Sequence, residues 1–551
     1  MSENLGYLAG RKGLKYNLLE QLGIAAEETG TPAQEKMETL RKEFLFGKAN
    51  IQGTVSFYDF LKEENRGKKV YVCNGSACLT SGTQGGLKEK LLNHFSETEI
   101  GEMCCLGRCH ENAAFHLEGR NYSGSAINRI DELIQKDLKL SDQYRVSSDG
   151  AGYLTDLKFS DQEIIDLIKQ EIKNDPEVLL NQIQESNLRG RGGAGFPISF
   201  KLKACREAKG SEKFIVCNAD EGDPGAYSDR YLLEQRPLLV LAGIMLAGKI
   251  TGAQWGVLYI RGEYPEAISI IENAIEFLKH SLLTGNETDF KFEFKVIRAH
   301  GAYICGEETA LLSSIEGQRP EVRIRPPYPA QKGLFNQPTV VNNVETLANL
   351  PVIFKTGSKS FSMAGTAKST GTKLLSLDGF FKNPGIYEVD MGTPLLKVIE
   401  NLGGGFRVPV KALHIGGPLG GLVPIDKISQ LNIDFESFSQ AGFLLGHASI
   451  VCIPESFPII EYIEHLFSFT AHESCGKCFP CRIGSVRGSE MMHQARTGSY
   501  KIDHNLMTDL LDTLESGSLC MLGGGLPLPV RNALSFFKEE LKPYFRNPEK
   551  L

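Results

Sequence analysis

Between residues 213 and 317 the chain alternates short apolar runs with longer segments whose apolar residues recur at helical intervals. "KFIVCNA", "WGVLYIRG" and "FEFKVIRAH" read as strands, while "QRPLLVLAGIMLAGKI", "PEAISIIENAIEFLKH" and "GEETALLSSIEG" read as helices. Such alternation predicts a largely parallel sheet covered by helices, with ligands at the carboxyl ends of its strands. The loops at three strand ends, "NADEGDPG", "RGEYPEA" and "HGAYICGEE", concentrate glycine and acid there. Upstream, residues 1–65 read as helices. A small α/β unit follows, with a strand in "KKVYVCNG", a helix in "GGLKEKLLNHF", a strand entering a loop in "IGEMCCLGRCH", a hairpin in "AAFHLEGRNYSG" and a closing helix in "AINRIDELIQKD". "LKLSDQYRVSSDGAGYL" reads as a linker. From about Thr370 "TKLLSLDG", "GIYEVDMG" and "KALHIGG" predict strands around one helix, and the last hundred residues return to helices around a cysteine cluster.

Composition narrows the function classes. A length of 551 residues predicts several domains, and 41% hydrophobic content suits buried cores. A net charge of −7 leaves no nucleic-acid footprint. The charged N-terminus lacks a signal-peptide core, and the longest apolar run, "PLLVLAGIMLAG", is too short for a membrane span of about 20 residues. The expected setting is cytoplasmic. Thirteen cysteines, an odd number without an export signal, favour metal or redox use over a disulfide framework.

"SNLRGRGGAGFPISFKLK" contains Gly190-x-Gly192-x-x-Gly195, the glycine spacing of a dinucleotide-binding turn. A strand should precede that turn and a helix follow it directly. Here the preceding residues are helical in pattern and Pro197 comes two residues after the last glycine, so a Rossmann turn is not expected. The expectation is a bare backbone loop able to lie against a ligand, with Arg189, Arg191 and Lys201 placing positive charge beside it.

Two cysteine sets are candidates for metal chemistry, with unligated core cysteines the remaining alternative for the C-terminal one. Cys475, Cys478 and Cys481 form C-x2-C-x2-C, and Cys520 stands alone farther on. Three closely spaced thiolates and a distant fourth suit a [4Fe-4S] cubane better than zinc, which more often uses two separate C-x2-C knuckles. Cys73 and Cys78 form C-x4-C, and Cys105 and Cys109 form C-x3-C with Cys104 as a competitor. That spacing admits a [2Fe-2S] cluster, a zinc site or a redox disulfide. Cys205, Cys217, Cys305 and Cys452 lie in apolar or ligand-lining strings and read as small buried hydrophobes.

"RGRGGAGFP", "NADEGDPGAYSDR", "GAYICGEETALLSSIEG", "RPPYPAQKGLFNQPTVVNNVETL" and "ESCGKCFPCRIG", in this order, resemble the NADH-binding, flavin-carrying subunit of respiratory complex I and its soluble diaphorase relatives. The likeness spans about residues 150–551. Residues 1–140, through "TVSFYDFL", "VCNGSAC" and "CLGRC", separately resemble the thioredoxin-like [2Fe-2S] subunit of complex I. The resemblance implies an α/β multidomain chain: an N-terminal helical segment (1–65), a thioredoxin-like [2Fe-2S] domain (66–140), a Rossmann-like domain for FMN and NADH (141–365), a β-grasp domain (366–452) and a helical bundle with a [4Fe-4S] cluster (453–551).

For the site, the resemblance implies an FMN cavity lined by Gly190, Gly192, Gly193, Gly195 and Lys201, by Asn218, Asp220 and Glu221, by Tyr303, Gly306, Glu307 and Glu308, and by Asn342 and Asn343. Phe196 and Tyr328 are expected against NADH, with Glu307 and Glu308 as positioning groups on the nicotinamide side. Hydride transfer needs no side-chain acid at the reacting atoms, so no catalytic residue is expected. The chain departs from the family at Asp223, where glutamate is frequent, and at Lys203 and Ala204, where an aromatic is expected. The implied activity is reversible hydride exchange between NADH and FMN, then single-electron transfer to iron-sulfur partner subunits. Complex I, hydrogenases, formate dehydrogenases and bifurcating enzymes all use such a component. A zinc-stabilised nucleotide-binding scaffold without redox turnover is the alternative.

Overall fold

The protein is described by a computed structural model that covers residues 13–27, 29–136, 140, 142–156, 159–283, 290–547 and 549. Residues 1–12 of the expected N-terminal helical segment, and 138, 139 and 141 of the expected linker, lie outside the described residues.

Three sheets organise the chain. The first comprises β1 (Val70–Cys73), β2 (Ile100–Met103), β3 (Phe115–Leu117) and β4 (Arg120–Tyr122) in the order β2-β1-β3-β4. β2 runs parallel to β1, while β3 pairs antiparallel and returns through the expected hairpin. β5 is Arg145–Asp149. The second sheet contains β6 (Phe214–Ala219), β7 (Trp255–Ile260), β8 (Glu293–Arg298) and β9 (Thr339–Asn343), all parallel in the order β8-β7-β6-β9. The chain therefore moves outward from β6 through β7 to β8 and then returns to β9 on the other flank of β6. The crevice between the carboxyl ends of β6 and β9 is the switch point where such sheets bind ligands.

The third sheet holds β10 (Thr372–Leu377), β11 (Gly385–Asp390), β12 (Val410–Ile415), β13 (Gly421–Pro424) and β14 (Ser449–Pro454) in the order β13-β12-β14-β10-β11-β5. The presence of β5 corrects the linker reading. Arg145–Asp149 pairs in parallel with β11, because the alternating "RVSSD" can add to an exposed sheet edge despite its polarity. Just before it, Asp142 receives ion pairs from the buried Arg108 and Arg230. The connection is thus a buried charge clamp between the first and second units.

Burial explains the apolar helix Pro237–Thr251. It lies beneath the parallel sheet, and nearly every residue is inaccessible to water. Its Gly243 passes so close to helix Val344–Thr356 that a Cβ would stand 1.9 Å from the Leu347 oxygen. No single described helix is long and apolar enough to cross a membrane. The N-terminal helices Leu18–Ala26, Gln34–Glu43 and Lys48–Val55 dock on the parallel-sheet unit rather than on the first sheet. Leu18, Leu19 and Leu22 share a core with Val257, Tyr259 and Ile297, and Asn17 donates to the Ile315 oxygen at 2.7 Å. Helices Ile459–Glu473, Ser485–Thr497, His504–Gly517 and Pro527–Phe536 form the C-terminal bundle.

Two buried groups lock these layers. Lys373 on β10 pairs with Glu345 at the start of helix Val344–Thr356, both side chains fully buried, and Glu345 also accepts Leu374 N–H at 3.0 Å. Removing one partner strands a charge in a dry interior, so Lys373→Met should cost about 3–5 kcal/mol in urea unfolding. His300 contacts the Leu19 oxygen at 3.2 Å, and burial followed by the nearby Arg298 charge lowers its pKa to about 3. A depressed histidine contributes stability above the unfolded value of about 6.5 that is lost as pH falls toward the folded one. Lowering pH from 7 to 5 should therefore cost up to about 2 kcal/mol through this group. The loss should be visibly smaller in His300→Gln under the same urea titration.

Candidate functional site

The glycine loop closes on itself through a short neck, in which Gly190 N–H donates to the Phe196 oxygen at 2.9 Å and Ile198 N–H to the Leu188 oxygen at 3.2 Å. Helix Pro176–Ser186 precedes it, and helix Ile198–Glu207 begins directly after Pro197. A helix does follow, contrary to the reading of Pro197 as a break, since proline suits a helix start. The element before the loop is a helix, so the turn is not of Rossmann type. Gly193 and Gly195 adopt φ of +114° and +58°, which side chains disfavour. Gly192 crosses the end of β9 so closely that a Cβ would stand 3.0 Å from that of Asn343.

The charges around the loop divide. Arg189 pairs with Glu436 at 2.6 Å and stacks 4.4 Å from the Phe435 ring. Arg191 is buried and donates to the Thr370 oxygen. Arg189 also donates to the loop's own Gly195 oxygen at 2.6 Å, so both arginines tie the loop to the third sheet's module. Lys201 alone of the three reaches the crevice, donating to Glu308 at 2.9 Å and to the Val341 oxygen at 3.2 Å.

The acid loops converge there. Asn218 at the end of β6 is in register with Asn343 of β9 and donates to the Gly306 oxygen at 2.8 Å. Glu307 caps helix Glu308–Ile315, accepting Thr309 and Ala310 N–H through one oxygen at 2.9 Å. Its other oxygen is buried and makes no hydrogen bond among the described residues, with Arg325 3.9 Å away, and Asp220 Oδ2 and Asn342 Nδ2 are buried without a hydrogen bond too. Burial pushes the Asp220 carboxyl well above the usual range. Polar atoms left without a hydrogen bond at strand ends and a helix start are what a polar ligand would satisfy, because buried polar groups in folded proteins otherwise find partners. The donor and acceptor set fits a flavin and a nucleotide.

Other expected residues are already engaged. Glu221 accepts Asp229 N–H at 2.8 Å, Arg230 N–H at 3.1 Å and the Tyr264 hydroxyl at 3.2 Å. Asn343 caps helix Val344–Thr356 through Thr346 and donates to Asp229 at 2.9 Å. Tyr303 donates its hydroxyl to Asp223 at 2.6 Å and its N–H to Glu473 at 2.8 Å. These side chains shape the walls. Phe196 and Tyr328 are half exposed, at 50% and 55%. Phe200, absent from the sequence-predicted set, is more exposed still and lies edge-on to Phe196 at 6.2 Å. Arg325 is a second addition; it reaches Glu308 at 3.2 Å and Glu307 at 3.9 Å. Its place in "RIRPPYP", near Tyr328, is the one signal of it in the sequence.

The cysteines assemble as two quartets. Cys105 and Cys109 sulfurs are 3.3 Å apart, Cys105 accepts Gly107 N–H at 3.4 Å, and Cys73 adjoins both Cys78 and Cys105. Hydrogen bonds from Cys109 and Cys73 hold the Cys105 thiol well below its ordinary range, while the same contacts push Cys73 and Cys109 up. Cys104 is less buried than the quartet, and its thiol is pushed up by burial. In the C-terminal bundle Cys481 adjoins Cys475 and Cys478, and Cys520 faces Cys475 and Cys481. All thirteen cysteines are free thiols, and Cys205, Cys217, Cys305 and Cys452 are buried as expected. The chemistry of two all-thiolate quartets fits iron-sulfur clusters.

Residues 183–352 match the Nuo51 FMN-binding domain, residues 461–544 the NADH-ubiquinone oxidoreductase-F iron-sulfur binding region, and residues 7–137 the thioredoxin-like [2Fe-2S] ferredoxin. The F 2 subunit of the NADH-quinone oxidoreductase of Rhizobium meliloti is 39% identical over 66% of this chain and 88% of its own length. The chain belongs to the family of NADH-quinone oxidoreductase F subunits. The NAD-reducing hydrogenase HoxS subunit alpha of Cupriavidus necator is 31% identical over 89% of this chain and 85% of its own. A chain in the crystal structure of an H2-reduced NAD+-reducing [NiFe]-hydrogenase superposes with a TM-score of 0.86 at 27% identity, covering 96% of this chain and 93% of that one.

The models of this oxidoreductase family describe iron-sulfur binding in the regions of both quartets, against zinc and a disulfide. Cys520→Ser should lose the iron of the C-terminal quartet and retain that of the N-terminal one. Metal analysis of the purified chain checks this, and unchanged iron would remove Cys520 from the ligand set.

Proposed function

We propose that this chain is the NADH-oxidising, electron-entry component of a multi-subunit redox complex, working reversibly between NADH and single-electron partners. The observation that carries the reading is a set of buried polar groups without a hydrogen bond among the described residues, Asp220 just past β6, Asn342 near the end of β9 and Glu307 at a helix start, together with Lys201 reaching Glu308 and the Val341 oxygen at the β6/β9 switch point. When bound, FMN supplies the ring that exchanges hydride with NADH, and the iron-sulfur clusters pass electrons singly.

Each residue then has a physical task. The bare backbone of Gly190, Gly192, Gly193 and Gly195 admits a flat ring system, and Lys201 supplies the cation that anionic oxygens require. Asn218, Asp220 and Asn342 offer polar edges from the strand ends. Phe196 and Tyr328, with Phe200, give a nucleotide ring faces on which to stack. Glu307 and Glu308 accept hydroxyl hydrogens, with Arg325 and Lys201 balancing their charge. Cys475, Cys478, Cys481 and Cys520 hold the [4Fe-4S] cluster, and Cys73, Cys78, Cys105 and Cys109 the [2Fe-2S] cluster.

The two quartets flank the crevice through short covalent and hydrogen-bonded paths. Tyr303 binds Glu473, two residues before Cys475. On the other side Arg261 donates to the Glu221 oxygen at 2.6 Å and to the Cys104 oxygen at 3.1 Å. Phe479, Leu519 and Met521 leave an exposed apolar rim around the C-terminal quartet, which suits docking of the partner that receives electrons. A cytoplasmic setting, where thiols stay reduced, suits the free cysteines.

Anaerobically purified protein should lose its flavin and cluster absorbance on addition of NADH. Cys478→Ser should still bleach the flavin yet deliver no electrons to a one-electron acceptor protein. A colourless zinc protein would overturn the function, and wild-type delivery by the variant would overturn the route.

A further inference from the structure

One buried histidine stands outside every role assigned so far. His447 lies in the "LLGHAS" turn leading into β14, so it comes from the module of the third sheet, whose sequence carries no ligand set of its own. It is only 6% exposed, and neither ring nitrogen makes a hydrogen bond among the described residues. Nε2 is directed between two buried carboxylates, 3.5 Å from Asp229 and 3.6 Å from Glu221. A neutral imidazole there would leave two carboxylates facing each other in a dry interior, whereas an imidazolium satisfies both.

Both carboxylates sit at the start of helix Ser228–Gln235, where Glu221 accepts Asp229 N–H at 2.8 Å and Arg230 N–H at 3.1 Å. Glu221 directly follows Asp220 in the loop after β6. Asp229 accepts the Asn343 amide at 2.9 Å, and Asn343 ends β9 under Gly192. The glycine loop also rests on this turn: a Cβ on Gly193 would stand 3.6 Å from the Gly446 carbonyl carbon and 3.8 Å from the His447 nitrogen. We propose that His447 is a positioning residue for the flavin site, whose imidazolium lies between the Asp229 and Glu221 carboxylates and holds them in place, and through Asp229 and Asn343 the end of β9 as well. This inference rests on the flavin-site reading above.

The surrounding charges agree with a bound proton. Glu221 and Asp223 face His447 from the β6 loop, Asp229 from helix Ser228–Gln235, and Lys373 from β10, the last already paired with Glu345. Burial works against the charged ring, but Asp229 and then Glu221 outweigh it and raise His447 to about 9. These three side chains also cluster closely enough for a metal ion. A proton suits the site better, because both Glu221 oxygens already accept protein hydrogen bonds and the Lys373 ammonium is near.

The test measures binding of added FMN to the flavin-stripped full-length chain by quenching of flavin fluorescence, as a function of pH. Glu221, raised to about 7 by burial and then by Asp229, titrates below His447, and wild type should lose affinity as pH passes about 9. His447→Gln should bind about tenfold or more weakly at pH 7.5 and show no break near 9. His447→Lys, which restores the positive charge, should recover most of the affinity. If His447→Gln does not fold, the double variant His447→Gln/Asp229→Asn removes the facing charges together and should bind FMN with no break near pH 9. A wild-type-like affinity and break in either Gln variant would overturn the role of His447. Failure of wild type itself to bind FMN at pH 7.5 would instead overturn the flavin-site reading.

Discussion

The glycine loop can lie across the carboxyl end of β9 only because Gly192 carries no side chain; a Cβ there would press on that of Asn343 at 3.0 Å. Most of the site depends on this approach. Asn343 caps helix Val344–Thr356 from one side and binds Asp229 from the other, while Arg191 in the loop donates its N–H to Thr346 at 2.8 Å. Loop, strand end and helix start thus share one hydrogen-bonded knot, and the crevice beside it inherits its shape. A larger residue at 192 would shift every member together, since close-packed interiors transmit displacement rather than absorb it.

Buried charge holds the domains at fixed positions around that knot. Asp142 collects Arg108 from the thioredoxin-like unit and Arg230 from the flavin unit, with His110 at 2.8 Å. Arg261 pairs with Glu263 at 2.7 Å and spans from the Glu221 oxygen to that of Cys104. Such groups contribute little net stability over an apolar packing of the same shape, but losing one partner strands the other. Their consequence is specificity of arrangement: the N-terminal quartet is held beside the loop after β6 by directional bonds, which an apolar interface of equal area would permit to slide.

The acid-rich loops do two kinds of work that look alike in a one-dimensional string. Glu221, Asn343 and one oxygen of Glu307 satisfy the free N–H groups at helix starts, a requirement of any helix that begins inside a protein. Asp220 Oδ2, Asn342 Nδ2 and the second Glu307 oxygen are left without a hydrogen bond among the described residues. Arg189 and Arg191 show the same ambiguity, since they brace the loop through the Gly195 and Thr370 oxygens. Lys201 is one helical turn into its element and points in.

Local patterns were legible from the sequence because their causes are local. Thiolate spacing is set by how a short loop wraps a cluster, strand and helix periods by which face meets a core, and glycine runs by backbone conformations that other residues resist. On those grounds the alternation of strands and helices, the glycine loop and the C-x2-C-x2-C run could be read from residues alone, while the crevice residues and the series of domains were implied by the likeness to a known family. Tertiary structure decided the rest. The docking of the N-terminal helices on the parallel sheet, the Asp142 clamp, the pairing of Lys373 with Glu345, and the setting of His447 between Asp229 and Glu221 join residues far apart in the chain. Their partners are chosen by the burial of charge, which acts through space and leaves no period or spacing in the sequence.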